Sequence, residues 1–284
     1  GINLRYYVED KPMGTAGSVK NAEEFLDDTF LVISGDALTD IDLSKAIDYH
    51  FSKGSVATLV LKKVDIPLEY GVVVTDENGR ITRFLEKPSW GEVFSDTVNT
   101  GIYILSPEVL RYFNKNEIFD FSKDLFPLLL RENKPMYGYI TEEYWCDIGD
   151  LTAYSQAHKD VLDNKVKVSI AGSKVKDGLW IGEGAVIEDN VTIEEPCVIG
   201  ANTRIKNGSI IGSYSVLGDN NIIGERSGIK RSILWKNNIL DSNVQLRGTV
   251  ICSKVNIKEN VSAFENSVIG DDTVIDRNAL IKPD

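Results

Sequence analysis

Ile181, Ile187, Ile193, Ile199, Ile205, Ile211, Leu217, Ile223 and Ile229 stand six residues apart without interruption. A helix repeats its apolar face every three to four residues and a half-buried strand every two. An unbroken period of six therefore suits neither a long helix nor a meander of hairpins. It suits a parallel β-helix, in which each hexapeptide forms one side of a triangular coil and turns its aliphatic residue inward. Glycine follows the aliphatic residue at 182, 200, 212, 218 and 224, with Asn and Asp recurring between. After Ile229 the register slips, but "SILWKNNILDSNV", "GTVICSKVNI" and "NSVIGDDTVIDRNALI" keep the same texture. The pattern predicts a β-helix over about 166–284.

The first half follows another rule. "INLRYYV", "TFLVIS", "SVATLVLKKV", "YGVVVTD", "ITRFLEK", "VNTGIYILS" and "MYGYITE" read as strands. "TAGSVKNAEEFL", "DLSKAIDYHFSKG" (closed by Gly54), "PEVLRYF" and "FSKDLFPLLLREN" read as helices, and "DENGR" reads as a hairpin turn. Strands alternating with helices predict an α/β domain over 1–165 with a mostly parallel sheet, "FLVIS" being buried on both faces. "LTAYSQAHKDVLDNK" is expected to be the helix that leads out of it.

Composition excludes several classes. Lys and Arg number 31 against 43 Asp and Glu, a net charge of −12, so no nucleic-acid or membrane-surface partner is expected. No apolar run approaches the length of a membrane span, and no secretory signal is visible. Cys146, Cys197 and Cys252 are odd in number and widely spaced, which fits reduced thiols in a cytoplasmic protein. A Ser/His/Asp triad and an HExxH motif are both missing. His50 and His158 fall in predicted helices and read as structural.

Five short stretches carry possible chemistry. "KPMGTAGS" holds Gly14 and Thr15 at a strand-to-helix turn, where glycine admits a ligand to the backbone and Thr15 otherwise serves as a helix cap. It lacks the lysine of a P-loop. "ISGD" ends a strand in Asp36, a carboxylate suited to a hard cation such as Mg²⁺ or to a turn. "FLEKPSW" sets Glu86 beside Lys87 on diverging side chains, either a sugar and phosphate pair or a surface ion pair. "VNTGIYIL" puts Asn99 near a glycine inside a strand, and "YWCDIGD" offers Asp147 as a second metal carboxylate.

In this order, "KPMGTAGS", "SGD", "YGVVV", "EKP", "VNTGIYIL" and "YWCDIGD", followed by hexapeptide repeats, resemble the sugar-1-phosphate nucleotidyltransferases, above all the mannose-1-phosphate guanylyltransferases. The resemblance runs along nearly the whole chain. It implies a Rossmann-like nucleotidyltransferase domain followed by a left-handed parallel β-helix. It further implies transfer of a nucleotidyl group, GTP to mannose 1-phosphate first and thymidylyl, uridylyl or adenylyl transfer to glucose 1-phosphate second. Asp36 and Asp147 would hold Mg²⁺ and with Lys87 form the catalytic set. Gly14 and Thr15 would meet the nucleotide, while Gly71, Glu86, Lys87 and Asn99 would line the sugar-phosphate pocket. The family's glycine-rich triphosphate loop, GxGTRLxPLT, has no counterpart in residues 1–284. This fragment alone is therefore expected to be inactive, with a separate N-terminal piece completing the site and baring a sheet edge when absent. The β-helix is expected to serve as an oligomerisation surface, since an acyltransferase would need a histidine after His158. A non-catalytic regulatory relative is the alternative. Some members continue into a further domain beyond the repeats, so the C-terminus is an expected truncation point as well.

Overall fold

Strand β6 (Thr97–Leu105) organises the first half of the chain. Along one edge it pairs antiparallel with β3 (Ala57–Lys63). Along the other it pairs antiparallel with β1 (Phe30–Ile33) near its end and touches β4 (Gly71–Thr75) near its start. Strand β4 pairs with β5 (Ile81–Glu86), and β3 pairs in parallel with β7 (Met136–Thr141). A two-stranded ribbon joins β2 (Ala37–Thr39) to β8 (Trp145–Asp147). The computed structural model describes residues 2–89 and 91–282. Trp90 of "EKPSW" and the last two residues of "ALIKPD" lie outside them. Internal packing divides the chain into units Gly1–Asp147 and Ile148–Asp284. No helix among the described residues is long and apolar enough to cross a membrane.

The first unit is a Rossmann-like α/β domain, but its sheet is mixed rather than mostly parallel. β1, helix α2 (Leu43–Lys53) and β3 do form a unit in which both strands run the same way. The later strand β6 then inserts antiparallel between them. Periodicity along the chain reports which faces are buried and is blind to which distant strand fills a gap. Both faces of β6 and β3 are covered. Leu59, Leu61, Tyr103 and Leu105 join one core with Phe121, Phe126 and Leu129, while Val60, Ile102 and Ile104 join Ala46 and Ile41 on the other side. Helix α2 (Leu43–Lys53) begins where the Asp42 carboxylate accepts hydrogen bonds from the Ser44 and Lys45 amides. It ends at Gly54, which takes the left-handed conformation such a stop requires.

Other expectations need correction. "INLRYYV" forms no strand, because no described strand lies beside it to complete a ladder; Ile2, Leu4, Tyr6 and Val8 are exposed. "FLVIS" is only half-buried as β1, since β6 is its single neighbour among the described residues. The helix predicted from Thr15 shrinks to α1 (Gly14–Lys20) and a short 3₁₀ turn. "PEVLRYF" is a 3₁₀ helix. "FSKDLFPLLLREN" opens as a π-turn, Phe121–Leu125, before α3 (Phe126–Arg131). Pro127 explains that break, because it has no N–H to donate to the preceding turn.

The second unit opens with helix α4 (Leu151–Leu162) and continues as the β-helix. Three parallel sheets run up its sides, linking Leu179 to Cys197 and Ser215, Val186 to Arg204 and Ile222, and Thr192 to Ile210 and Gly228. This is a solenoid of about six turns, consistent with the left-handed β-helix. The inward residues Ile199, Ile205, Ile211, Leu217 and Ile223 are fully buried. The slip after Ile229 has a local cause. Leu217 pairs with Leu234 and Leu234 with Ile251, so two successive turns lose one residue each at the same corner. Pairing then returns to the longer spacing, Ile251 with Ile269. Asparagines at the corners, such as Asn202, Asn220 and Asn243, hold the positive φ that the sharp bends demand. Inside one corner the Asn221 side chain donates to the carbonyls of Gly218 and Trp235 and accepts from the Asn238 amide. Among the described residues none of the three cysteines forms a disulfide, and Cys197 lies in the β-helix core.

Candidate active site

The β2–β8 ribbon joins two stretches that the sequence keeps far apart. Ala37 pairs with Asp147 and Leu38 with Cys146, so Asp36, one residue before β2, lies at the same end of the ribbon as Asp147. Thr39 Oγ1 donates to the Tyr144 carbonyl at 2.8 Å and fixes the other end. Trp145 donates from Nε1 to the Thr100 carbonyl at 3.1 Å, which ties the ribbon to the bulged middle of β6. The bulge centres on Gly101, whose φ of 77° only glycine adopts readily.

These elements surround a cavity of about 240 Å³ lined by Asp36, Gly71, Glu86, Lys87, Asn99 and Asp147, together with Ser34, Glu69, Tyr70, Tyr103, Ser122 and Trp145. Six of the eight predicted site residues converge there. Gly71 has a steric reason: a Cβ at that position would stand 2.7 Å from Glu86 Oε2 and 2.8 Å from the Phe84 ring. Lys87 holds a positive φ of 44°, a conformation that costs a side-chain-bearing residue about 1–2 kcal/mol. The amide of Lys87 donates to the Tyr70 carbonyl at 3.1 Å. Asn99 is buried; its Nδ2 donates to the Tyr103 hydroxyl at 2.9 Å and to Ser122 Oγ at 3.3 Å. The Ser34 hydroxyl donates to the Asp36 carboxylate.

Charge in the cavity is unbalanced. Asp36, Glu69, Glu86 and Asp147 face a single lysine. Burial, reinforced by the Asp36 charge and opposed by Lys87, pushes the Asp147 carboxyl above its ordinary value. Burial and then Asp120 push Glu86 up, while Lys87, Ser122 and Lys123 pull it back. Tyr103 is pushed up to about 12 by burial. A hard carboxylate raised by burial with a second one beside it is a donor set that a divalent cation would relieve. Among the described residues no group of three His, Cys, Asp or Glu side chains forms a closed metal cage.

Gly14 and Thr15 do not line this cavity. The amides of Ala16 and Gly17 donate to the Phe119 carbonyl, and the Phe119 amide donates to the Met13 carbonyl. A Cβ on Gly14 would stand 2.6 Å from the Phe119 oxygen, so this glycine is required by close packing of two chain segments. The histidines lie elsewhere. His50 Nδ1 is 2.9 Å from Thr58 Oγ1, and His158 stands edge-on to Tyr154. Sequence reasoning missed Ser34, Tyr70, Tyr103 and Trp145, although "SGD", "YGVVV", "VNTGIYIL" and "YWCDIGD" contain them, and it missed Glu69 and Ser122, which lie in none of those motifs.

The fold and this constellation define a class, and comparison with known proteins agrees. Residues 1–164, more than half the chain, match the family described as Nucleotidyl transferase, and the chain belongs to that family. Residues 176–281 match the EIF2B subunit epsilon LbH domain. Among curated relatives, a UTP–glucose-1-phosphate uridylyltransferase from Synechocystis is 43% identical over 61% of this chain and 46% of its own length. A mannose-1-phosphate guanyltransferase from Candida albicans is 35% identical over 57% and 48%. A mannose-1-phosphate guanylyltransferase from Mycobacterium tuberculosis is 32% identical over 57% and 45%. The chain thus spans about half the length of the curated relatives it matches. A crystal structure from Bacillus anthracis in complex with a sucrose superposes with a TM-score of 0.52 at 23% identity, covering 60% of this chain and 69% of that one, a likeness of fold.

Proposed function

We infer that the chain carries the sugar-phosphate half of a nucleotidyltransferase that joins a nucleoside triphosphate to a sugar 1-phosphate. The observation that carries this reading is the convergence of Asp36, Asp147, Glu86, Lys87, Asn99 and Gly71 on one cavity in a chain of that family. An oxygen of the sugar 1-phosphate attacks the α-phosphorus in line. The bond from that phosphorus to the bridging oxygen breaks, and pyrophosphate leaves. The reaction needs positioning and charge neutralisation and no protein nucleophile, which suits a site without one. Lys87 meets the sugar phosphate, Glu86 accepts hydrogen bonds from sugar hydroxyls, and Asn99 with Gly71 shapes the pocket. Gly14 and Thr15 lie outside this cavity, and their nucleotide role rests on the resemblance alone. Asp36 and Asp147 would hold Mg²⁺, which when bound neutralises phosphate oxygens that four carboxylates would otherwise repel.

Mannose 1-phosphate with GTP is the pairing first expected, and relatives at 35% and 32% identity carry that name. Glucose 1-phosphate with UTP is the second, favoured by the relative at 43%. A non-catalytic regulatory relative is a third reading, favoured by the likeness of residues 176–281 to the EIF2B subunit epsilon domain. We take 165/166 as the functional boundary and the β-helix as an oligomerisation surface in a cytoplasmic protein. A separate N-terminal segment would supply the triphosphate loop and pair with the open edge of β1. Pyrophosphate release with each nucleoside triphosphate and either sugar phosphate tests all of this, on this chain and on a longer polypeptide bearing the loop. Release by the longer form that is lost in Asp36→Ala and Asp147→Ala supports the reading; release indifferent to both aspartates sinks the metal assignment.

A further inference from the structure

Thr15 Oγ1 donates to Asp120 Oδ2 at 2.8 Å and accepts from the Phe121 amide at 3.0 Å. The other carboxylate oxygen of Asp120 accepts from the amides of Ser122 and Lys123, at 2.9 and 3.1 Å. The π-turn that starts at Phe121 is thereby held at its first residues by a side chain more than a hundred positions earlier. Such turns rarely persist without outside support. Ser122 stands at the head of this turn and lines the cavity. Its oxygen accepts from Asn99 Nδ2 at 3.3 Å, and Ser122 lines the cavity together with Glu86. A serine has one proton to give. With Asn99 donating to it, that proton can turn to Glu86, whose carboxylate lies over the space that Gly71 leaves open.

We propose that Thr15 and Asp120 form a clamp that sets the Ser122 hydroxyl, that Ser122 orients Glu86 for the sugar, and that Thr15 is therefore a positioning residue for the sugar pocket instead of a nucleotide contact. The proposal rests on the sugar-phosphate reading of this cavity, and its test separates the two. The groups facing Glu86 are Asp120, Lys87, Lys123, Ser122 and Tyr103. Removing the Thr15 hydroxyl changes none of these charges.

The first measurement needs no substrate: titration of the Glu86 carboxyl by ¹³C NMR in this 284-residue chain. Ser122→Ala removes the hydroxyl proposed to favour the ionised form and Thr15→Val displaces it, so both should move the midpoint upward, and Thr15→Ser should restore it. A midpoint unmoved in Thr15→Val overturns the clamp whatever the protein's activity. The second measurement uses the polypeptide that contains the triphosphate loop. Thr15→Val and Ser122→Ala should each raise the KM for the sugar 1-phosphate about five- to tenfold and leave the KM for the nucleoside triphosphate unchanged. Thr15→Ser should behave as the natural chain does, which a general loss of folding would not mimic. A rise in the nucleotide KM with the sugar KM unmoved overturns the proposal and returns Thr15 to the nucleotide. Should the unsubstituted loop-bearing polypeptide release no pyrophosphate while the NMR shifts appear, the functional reading falls and the clamp stands.

Discussion

Ile205 and Asp147 owe their surroundings to different kinds of neighbour. Ile205 stacks on Ile187 below and Ile223 above, residues one turn of the chain away in either direction. Asp147 faces Asp36, which lies 111 residues earlier and reaches it only because β2 and β8 pair. In the β-helix the same environment is built again at every turn. In the α/β unit each environment is built once. A repeat spreads tolerance and cost evenly along the chain, whereas a site concentrates both in a few residues that must act together.

That contrast can be broken most forcefully in the β-helix core. Ile199→Ala, Ile205→Ala and Ile211→Ala each delete a fully buried side chain on a different face. Each should cost about 2–5 kcal/mol in thermal or denaturant unfolding, with closely similar values because the three positions are equivalent. Widely unequal costs would show that the faces are not interchangeable. The site should behave in the opposite way. Asp36→Ala or Asp147→Ala should lower pyrophosphate release by the loop-bearing polypeptide on the order of 10²-fold. The double variant should be little worse than either single one, since two residues that act as a unit are not additive. Additive losses would separate their roles.

Smaller effects sharpen the picture. Gly14→Ala pushes a methyl against the Phe119 carbonyl at a φ of 74° and should cost about 1–3 kcal/mol in unfolding experiments. Asn202→Ala, at a φ of 55° on a β-helix corner, should cost about 1–2 kcal/mol, while Asn202→Gly should cost much less. The last test is of pH. Burial raises the Glu86 and Asp147 carboxyls, so the native state favours their neutral forms. That contribution is complete below the ordinary carboxylate range and is lost as pH rises through the raised values. Glu86→Gln should therefore melt no lower than the natural chain at neutral pH, with its relative advantage shrinking in acid. Asp36→Asn should lower the Asp147 midpoint and Lys87→Met should raise it, both readable by carboxyl NMR.

The two regions differed as much in legibility as in construction. Nine aliphatic residues in one register were enough to predict the β-helix, because each coil repeats the demand of the last. Even the slip after Ile229 was visible; its cause, two turns shortened at one corner, needed the pairing of Leu217 with Leu234 and of Leu234 with Ile251. In the α/β unit most strands could be read from their apolar runs, and "DLSKAIDYHFSKG" was read almost to its ends, with Gly54 as its stop. What failed was whatever depends on a partner. "INLRYYV" has strand composition and, among the described residues, no strand beside it. The sheet was expected to be mostly parallel because β6 could not be foreseen slipping between β1 and β3.

The candidate site divides along the same line. Asp36, Glu86, Lys87, Asn99 and Asp147 were named from short motifs, since carboxylates, a lysine and a glycine-flanked amide at strand ends advertise their chemistry. Ser122 advertises nothing, as serine at the start of an apolar turn is ordinary. Thr15 drew notice for its glycines and proves to reach Asp120 rather than the cavity. The sequence by itself determined the β-helix, the two-part organisation and the types of reactive side chain, because period, composition and local capping act over a few residues. Only the tertiary structure decided which carboxylates meet, which hydroxyl reaches Asp120 and why Gly14 must be glycine. Those facts come from segments a hundred residues apart in the chain, and no local preference encodes a contact across that distance.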